Sequence, residues 1–91
     1  MKVGTKINTI IVVHKTDLNN CDMETALSVE RSSLRTALSG SGLEAYYVST
    51  VEKNNETISQ EIQLVATENL TKAKIRTILQ PITTLKILGY E

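Results

Sequence analysis

His14, Asp17 and Cys21 are the residues of this chain that come nearest to a chemical constellation. They bring an imidazole, a carboxylate and a thiol into one short stretch. A Cys–His pair is the minimum for a thiolate nucleophile with its base. Only a following helix N-terminus would lower the Cys21 thiol pKa, however. The plainer reading makes Cys21 a small residue near a helix start and His14 a strand-end residue. One histidine and one cysteine give none of the CxxC, HxxxH or HExxH spacings of zinc sites, so neither a metal nor a cofactor is expected. A lone cysteine forms no intrachain disulfide and fits a reducing compartment. Ser39-Gly40-Ser41-Gly42 has two glycines, but it follows a helical pattern. The helix N-terminus that would cradle a phosphate is missing there. The inventory points away from an enzyme.

The cations form a second candidate. Arg31 and Arg35 stand four apart on one predicted helix, and Lys72 and Arg76 four apart on another, with Lys74 between them. Helices on the same side of a sheet would let these five residues converge on an anion or a nucleic-acid backbone. Against this stand Glu24 and Glu30 on the first helix and a balance of 10 basic to 10 acidic residues. That balance creates no general field toward nucleic acid or an anionic membrane, and a solvated, salt-bridged helix surface accounts for the pattern.

The elements that must position these residues follow from periodicity. Ile7 to His14 is rich in β-branched residues and almost continuously apolar, which predicts a central strand buried on both faces. Asn19, Asn20 and Asp22 are N-cap types for a helix whose stripe is Met23, Ala26, Leu27, Leu34, Ala37 and Leu38. Its end falls at the Ser-Gly-Ser-Gly turn. Leu43 to Val51 reads as a second strand, and Lys53 to Glu56 as a hairpin turn. In the strand Thr57 to Ala66, Ile58, Ile62, Leu64 and Ala66 share one parity, with Gln60 as the defect in the apolar set. Thr67 or Asn69 is expected to cap a helix from about Leu70 to Leu79, which Pro81 ends. Thr83 to Tyr90 supplies the last strand.

The order β-α-β-β-α-β over residues 1–91 makes one α+β domain that resembles ferredoxin-like folds: a four-stranded antiparallel sheet with two helices on one face. RNA-recognition domains with this topology stack bases on aromatics of their central strands. Here Tyr46, Tyr47 and Tyr90 fall on flanking strands. Asp17, just after the first strand, is similar in place to an acidic residue of small ferredoxin-like ribonucleases related to CRISPR adaptation proteins and certain antitoxins. That resemblance implies a divalent cation held across a dimer.

Both parities of the first strand are apolar, so the helices cannot cover them all. The open sheet face is expected to carry Tyr46, Val48, Val65, Leu88 and Tyr90, and exposed apolar surface marks a partner site. Pairing of an edge strand is a second route to a dimer. No apolar run approaches the roughly 20 residues that span a bilayer, which leads to the expectation of a soluble, cytoplasmic protein. The expected function is a non-enzymatic binding or regulatory module acting through protein contacts, as a homodimer, in the manner of a viral or mobile-element inhibitor of a host system. The alternatives are a dimeric metal-dependent nuclease or nucleic-acid-binding protein, and a small-molecule sensor with its ligand at a dimer interface.

Overall fold

The computed structural model describes residues 2–18 and 22–91. Strand β1 runs Lys6–His14. Its burial alternates: Ile7, Ile11 and Val13 are buried on one face, while Asn8, Ile10 and Val12 are only half-buried on the other. The expectation of burial on both faces is thus corrected, because the helices pack on one side alone. Thr9 takes an inward position, and its hydroxyl donates to the Ile62 carbonyl at 2.7 Å.

Helix α1 spans Met23–Leu38. Of the three expected caps, Asp22 serves, accepting the Thr25 N–H at 2.7 Å; Asn19, Asn20 and Cys21 lie outside the described residues. Leu27, Leu34 and Leu38 are buried, with Met23, Ala26 and Ala37 packed beside them.

The second strand ends earlier than expected: β2 is Leu43–Tyr47, and a separate short strand β3, Glu52–Lys53, follows past Val51 and takes the first residue of the expected turn. Both pair antiparallel with β4, Thr57–Ala66, whose range matches the sequence expectation. Tyr47 stands opposite Ile62 and Glu52 opposite Ser59, so residues 48–51 face only 60 and 61. The surplus chain bulges out, and Ser49 fills the gap: its hydroxyl accepts the Glu61 N–H at 2.9 Å. The hairpin is closed by Asn54, whose Oδ1 accepts the N–H groups of Glu56 and Thr57, both at 2.8 Å.

Helix α2 is Lys72–Leu79, shorter than expected. Thr71 caps it, rather than Thr67 or Asn69, and accepts the Lys74 N–H at 3.1 Å. Leu70, ahead of the cap, is buried in the core. Strand β5 is Leu85–Tyr90, starting two residues later than Thr83.

The strand order is β2-β4-β1-β5, with β3 on β4 beside β2. Two helices on one face of this antiparallel sheet make an α+β fold of ferredoxin-like type. Their apolar sides close over Ile7, Ile11, Ile58, Ile62 and Leu64, and burial of these β-branched and leucine side chains is the main stabilising term. No helix among the described residues is long and apolar enough to cross a membrane.

Candidate functional site

The strand order makes β2 and β5 the two edges of the sheet, and they differ. β5 is broken by a bulge opposite Asn8 and Thr9 and carries Lys86. Both features blunt an edge against pairing. β2 is regular, with the sequence Leu-Glu-Ala-Tyr-Tyr, free of lysine and proline.

The ladder decides which backbone groups of β2 stay free. Gly42 C=O accepts the Thr67 N–H at 2.8 Å. From that pair onward, bonding residues alternate, so Glu44 and Tyr46 bond inward to Val65 and Gln63 of β4. Leu43, Ala45 and Tyr47 then turn their N–H and C=O groups outward. The Leu43 N–H is taken by the Ser41 hydroxyl at 3.3 Å. What β2 offers along its open side is therefore the Leu43 carbonyl and both groups of Ala45 and Tyr47.

The side chains there are apolar and exposed. Among the described residues the exposed large hydrophobics are Val3, Val29, Leu88 and the cluster Tyr46, Tyr47, Val48 and Val51. The cluster is 42–54% exposed and lies wholly on β2 and the bulge after it. A groove of about 570 Å³ follows the strand, walled by the last turn of α1 through Arg35 and Leu38, and by the turn at Ser39 and Gly40.

Neighbouring charges hold both tyrosines in place. Arg35 donates to the Tyr47 hydroxyl at 3.3 Å, and the Arg31 guanidinium lies 5.7 Å from the Tyr47 ring centre. The Tyr46 hydroxyl donates to Glu44 Oε2 at 3.1 Å. That bond, with the carboxylate's charge, holds the Tyr46 phenol above its ordinary pKa.

The expected sheet-face residues separate. Tyr46 and Val65 stand on the open face, and Leu88, opposite in parity to Ile87, joins them from the far edge. Between them run Gln63 and Asn8, opposite each other on β4 and β1, so Tyr46 and Val65 do not merge with Leu88 into one patch. Val48 lies just past β2. Tyr90 is a correction: the β5 bulge reverses its parity and sets it opposite Ile7, on the helix side, with the Lys72 ammonium 4.9 Å from its ring.

The expected basic convergence is also corrected. Arg31 and Arg35 reach toward Tyr47 at the β2 edge, whereas Lys72 reaches toward Tyr90 on β5, and Arg76 borders a cavity with Leu85 and Ile87. These cations serve opposite edges of the sheet. Lys74 is exposed.

Asp17 is exposed at the end of a 3-10 turn, Lys15–Asp17. It borders a cavity of about 470 Å³ with His14 and Glu30, and Glu30 accepts the Thr84 hydroxyl at 2.9 Å. Among the described residues no three His, Cys, Asp or Glu side chains are grouped to hold a metal ion.

No protein-family model and no curated protein matches the chain. Among solved structures, it is similar to the C-terminal domain of the MgtC protein from Mycobacterium tuberculosis, a solution structure. The TM-score is 0.65 at 10% identity, covering 100% of this chain and 87% of that one. At that identity the likeness concerns the fold.

Sequence reasoning passed over the β2 edge as the dominant feature. The signal was present in Tyr46-Tyr47-Val48, an apolar run without a guarding lysine or proline. Its meaning depended on where β2 would end.

Proposed function

We propose that this domain is a non-catalytic, regulatory protein-binding module that works through the open β2 edge. The carrying observation is that exposed Tyr46 and Tyr47, on an edge strand without lysine or proline, are followed directly by exposed Val48 and Val51 in the bulge. Extended partners add to such an edge through main-chain hydrogen bonds and gain specificity from flanking side-chain pockets. Free groups at Ala45 and Tyr47 supply the first, and the groove beside Arg35 and Leu38 supplies the second. Tyrosine and arginine are the side chains that concentrate binding energy in interfaces.

The test is selection of binders from a displayed library of random linear peptides on the immobilised protein. The expected result is enrichment of peptides whose binding disappears in Val48→Asp and Tyr46→Asp while Leu88→Asp retains it. Enrichment that is indifferent to the β2 substitutions, or no enrichment, overturns the reading.

A further inference from the structure

Resting on the reading of β2 as the interaction edge, we infer that its partner is an extended segment of another protein with alternating charge: carboxylates on the side that faces α1, and lysine or arginine on the side that faces away.

The helix side of the edge is basic. Tyr47 stands opposite the buried Ile62 and so lies on that side. Two guanidiniums converge on it there: Arg35 donates to its hydroxyl, and Arg31 lies over its ring. The other bonds of Arg31 go to the neutral Gln60 amide and Ser28 hydroxyl. Among the described residues Lys53 and Glu24 form the ion pair, and neither arginine meets a carboxylate. Arg35 also walls the groove beside β2, where the helix-side residues of an added strand would enter. A guanidinium stays charged at any physiological pH and grips a carboxylate through parallel hydrogen bonds.

The open side of the same edge is acidic. The charged residues that β2, β3 and β4 carry there are Glu44, Glu52 and Glu61: Glu44 stands opposite Val65, Glu52 opposite Ser59, and Glu61 alternates with the buried Gln60 and Ile62. Tyr46 bonds Glu44 without removing its charge.

Successive side chains of an added strand point to opposite faces. A segment along β2 therefore presents alternate residues to Arg35 and to Glu44, whichever way it runs. Opposite charges on adjoining strands favour pairing, and like charges oppose it, so this edge selects acid and base in alternation. A nucleic-acid backbone suits it less. It has no amide ladder for the free groups of Ala45 and Tyr47, and its phosphates would lie against Glu44.

The experiment is fluorescence anisotropy at low salt with two labelled, end-capped peptides of identical composition, Val-Glu-Lys-Glu-Lys-Val and Val-Glu-Glu-Lys-Lys-Val. The expected result is several-fold tighter binding of the alternating peptide, a preference that fades as salt is added. Arg35→Glu, at an exposed position, should abolish the preference, and Arg76→Glu, at the opposite edge, should leave it intact. Equal binding of the two peptides, or a preference that survives Arg35→Glu, overturns the inference. A single-stranded oligothymidylate that displaces the peptide and loses that ability in Arg35→Glu assigns the arginines to nucleic acid and also overturns it. If neither peptide binds, the sequences enriched in the library selection decide: acid and base in alternation support the inference, and enrichment without alternation overturns it while leaving β2 a protein-binding edge. An empty selection overturns both.

Discussion

Arg31 and Gln60 meet between α1 and the sheet: Arg31 Nη1 donates to Gln60 Oε1 at 3.0 Å, over a strand position otherwise reserved for apolar residues. The other end of the amide, Gln60 Nε2, donates to the Ser49 carbonyl at 3.0 Å. One side chain thereby satisfies its own buried polar atoms and ties the bulge at residues 48–51 to the helix layer. The apparent defect in the β4 pattern is the fastening of the β2 edge.

Gln60→Ala should therefore act in two places. It strips Arg31 of an acceptor and the Ser49 carbonyl of a donor, and a partly buried group left without its partner costs about 1–3 kcal/mol. The urea midpoint should fall accordingly. Amide exchange should quicken at Glu61, whose N–H bonds to Ser49. A variant with unchanged exchange there would show that the bulge holds itself.

Thr9→Val should be close to neutral. Thr9 and Ile62 form a bonding pair of the β1–β4 ladder, so the Ile62 carbonyl keeps a backbone donor when the 2.7 Å hydroxyl bond is removed. Replacing a buried hydroxyl by a methyl of similar shape then changes stability by less than about 1 kcal/mol. Chemical denaturation checks it. A loss well beyond that would mean the hydroxyl bond carries more than the ladder geometry implies.

Gly42→Ala should destabilise. Gly42 has φ of +90°, and an added Cβ would lie 2.5 Å from Glu68 Cγ. The glutamate can swing away, but the backbone conformation remains, at about 1–2 kcal/mol for an L-residue. Because Gly42 starts the β2–β4 ladder through its bond with Thr67, the melting temperature should fall by several degrees. Lys2→Ala, at an exposed position, serves as the control.

Acid should weaken the start of α1. Hydrogen bonds from Thr25, with the Lys53 charge adding to them, hold the Asp22 carboxyl below its ordinary range. The ion pair with Lys53 does the same for Glu24. A folded-state pKa below the unfolded one means the unfolded chain binds more protons, so stability rises with pH through this window. The contribution is whole above the ordinary carboxylate values of 3.8 and 4.5 and is lost as pH falls through the lowered ones. Urea midpoints against pH should show the gap between wild type and Asp22→Asn closing on the acid side. Both carboxylates are exposed, so added salt should shrink the Glu24 part.

The sequence by itself determined the element order, the β4 range, the α1 stripe and the ferredoxin-like plan, because each rests on local periodicity and turn chemistry. Ile58, Ile62 and Leu64 alternate with polar residues, and only one face of a sheet can satisfy that alternation. Tertiary structure decided what two equal local choices left open. Ile7, Ile11 and Val13 face the helices while Ile10 and Val12 do not, since both parities of β1 are apolar and only pairing with β4 breaks the tie. Two irregularities of register decided the candidate site. One bulge ends β2 at Tyr47 and exposes Val48 and Val51; the other turns Tyr90 away from the open face. A bulge is set by how many residues two distant strands place opposite each other, and neither strand carries that count in its own sequence.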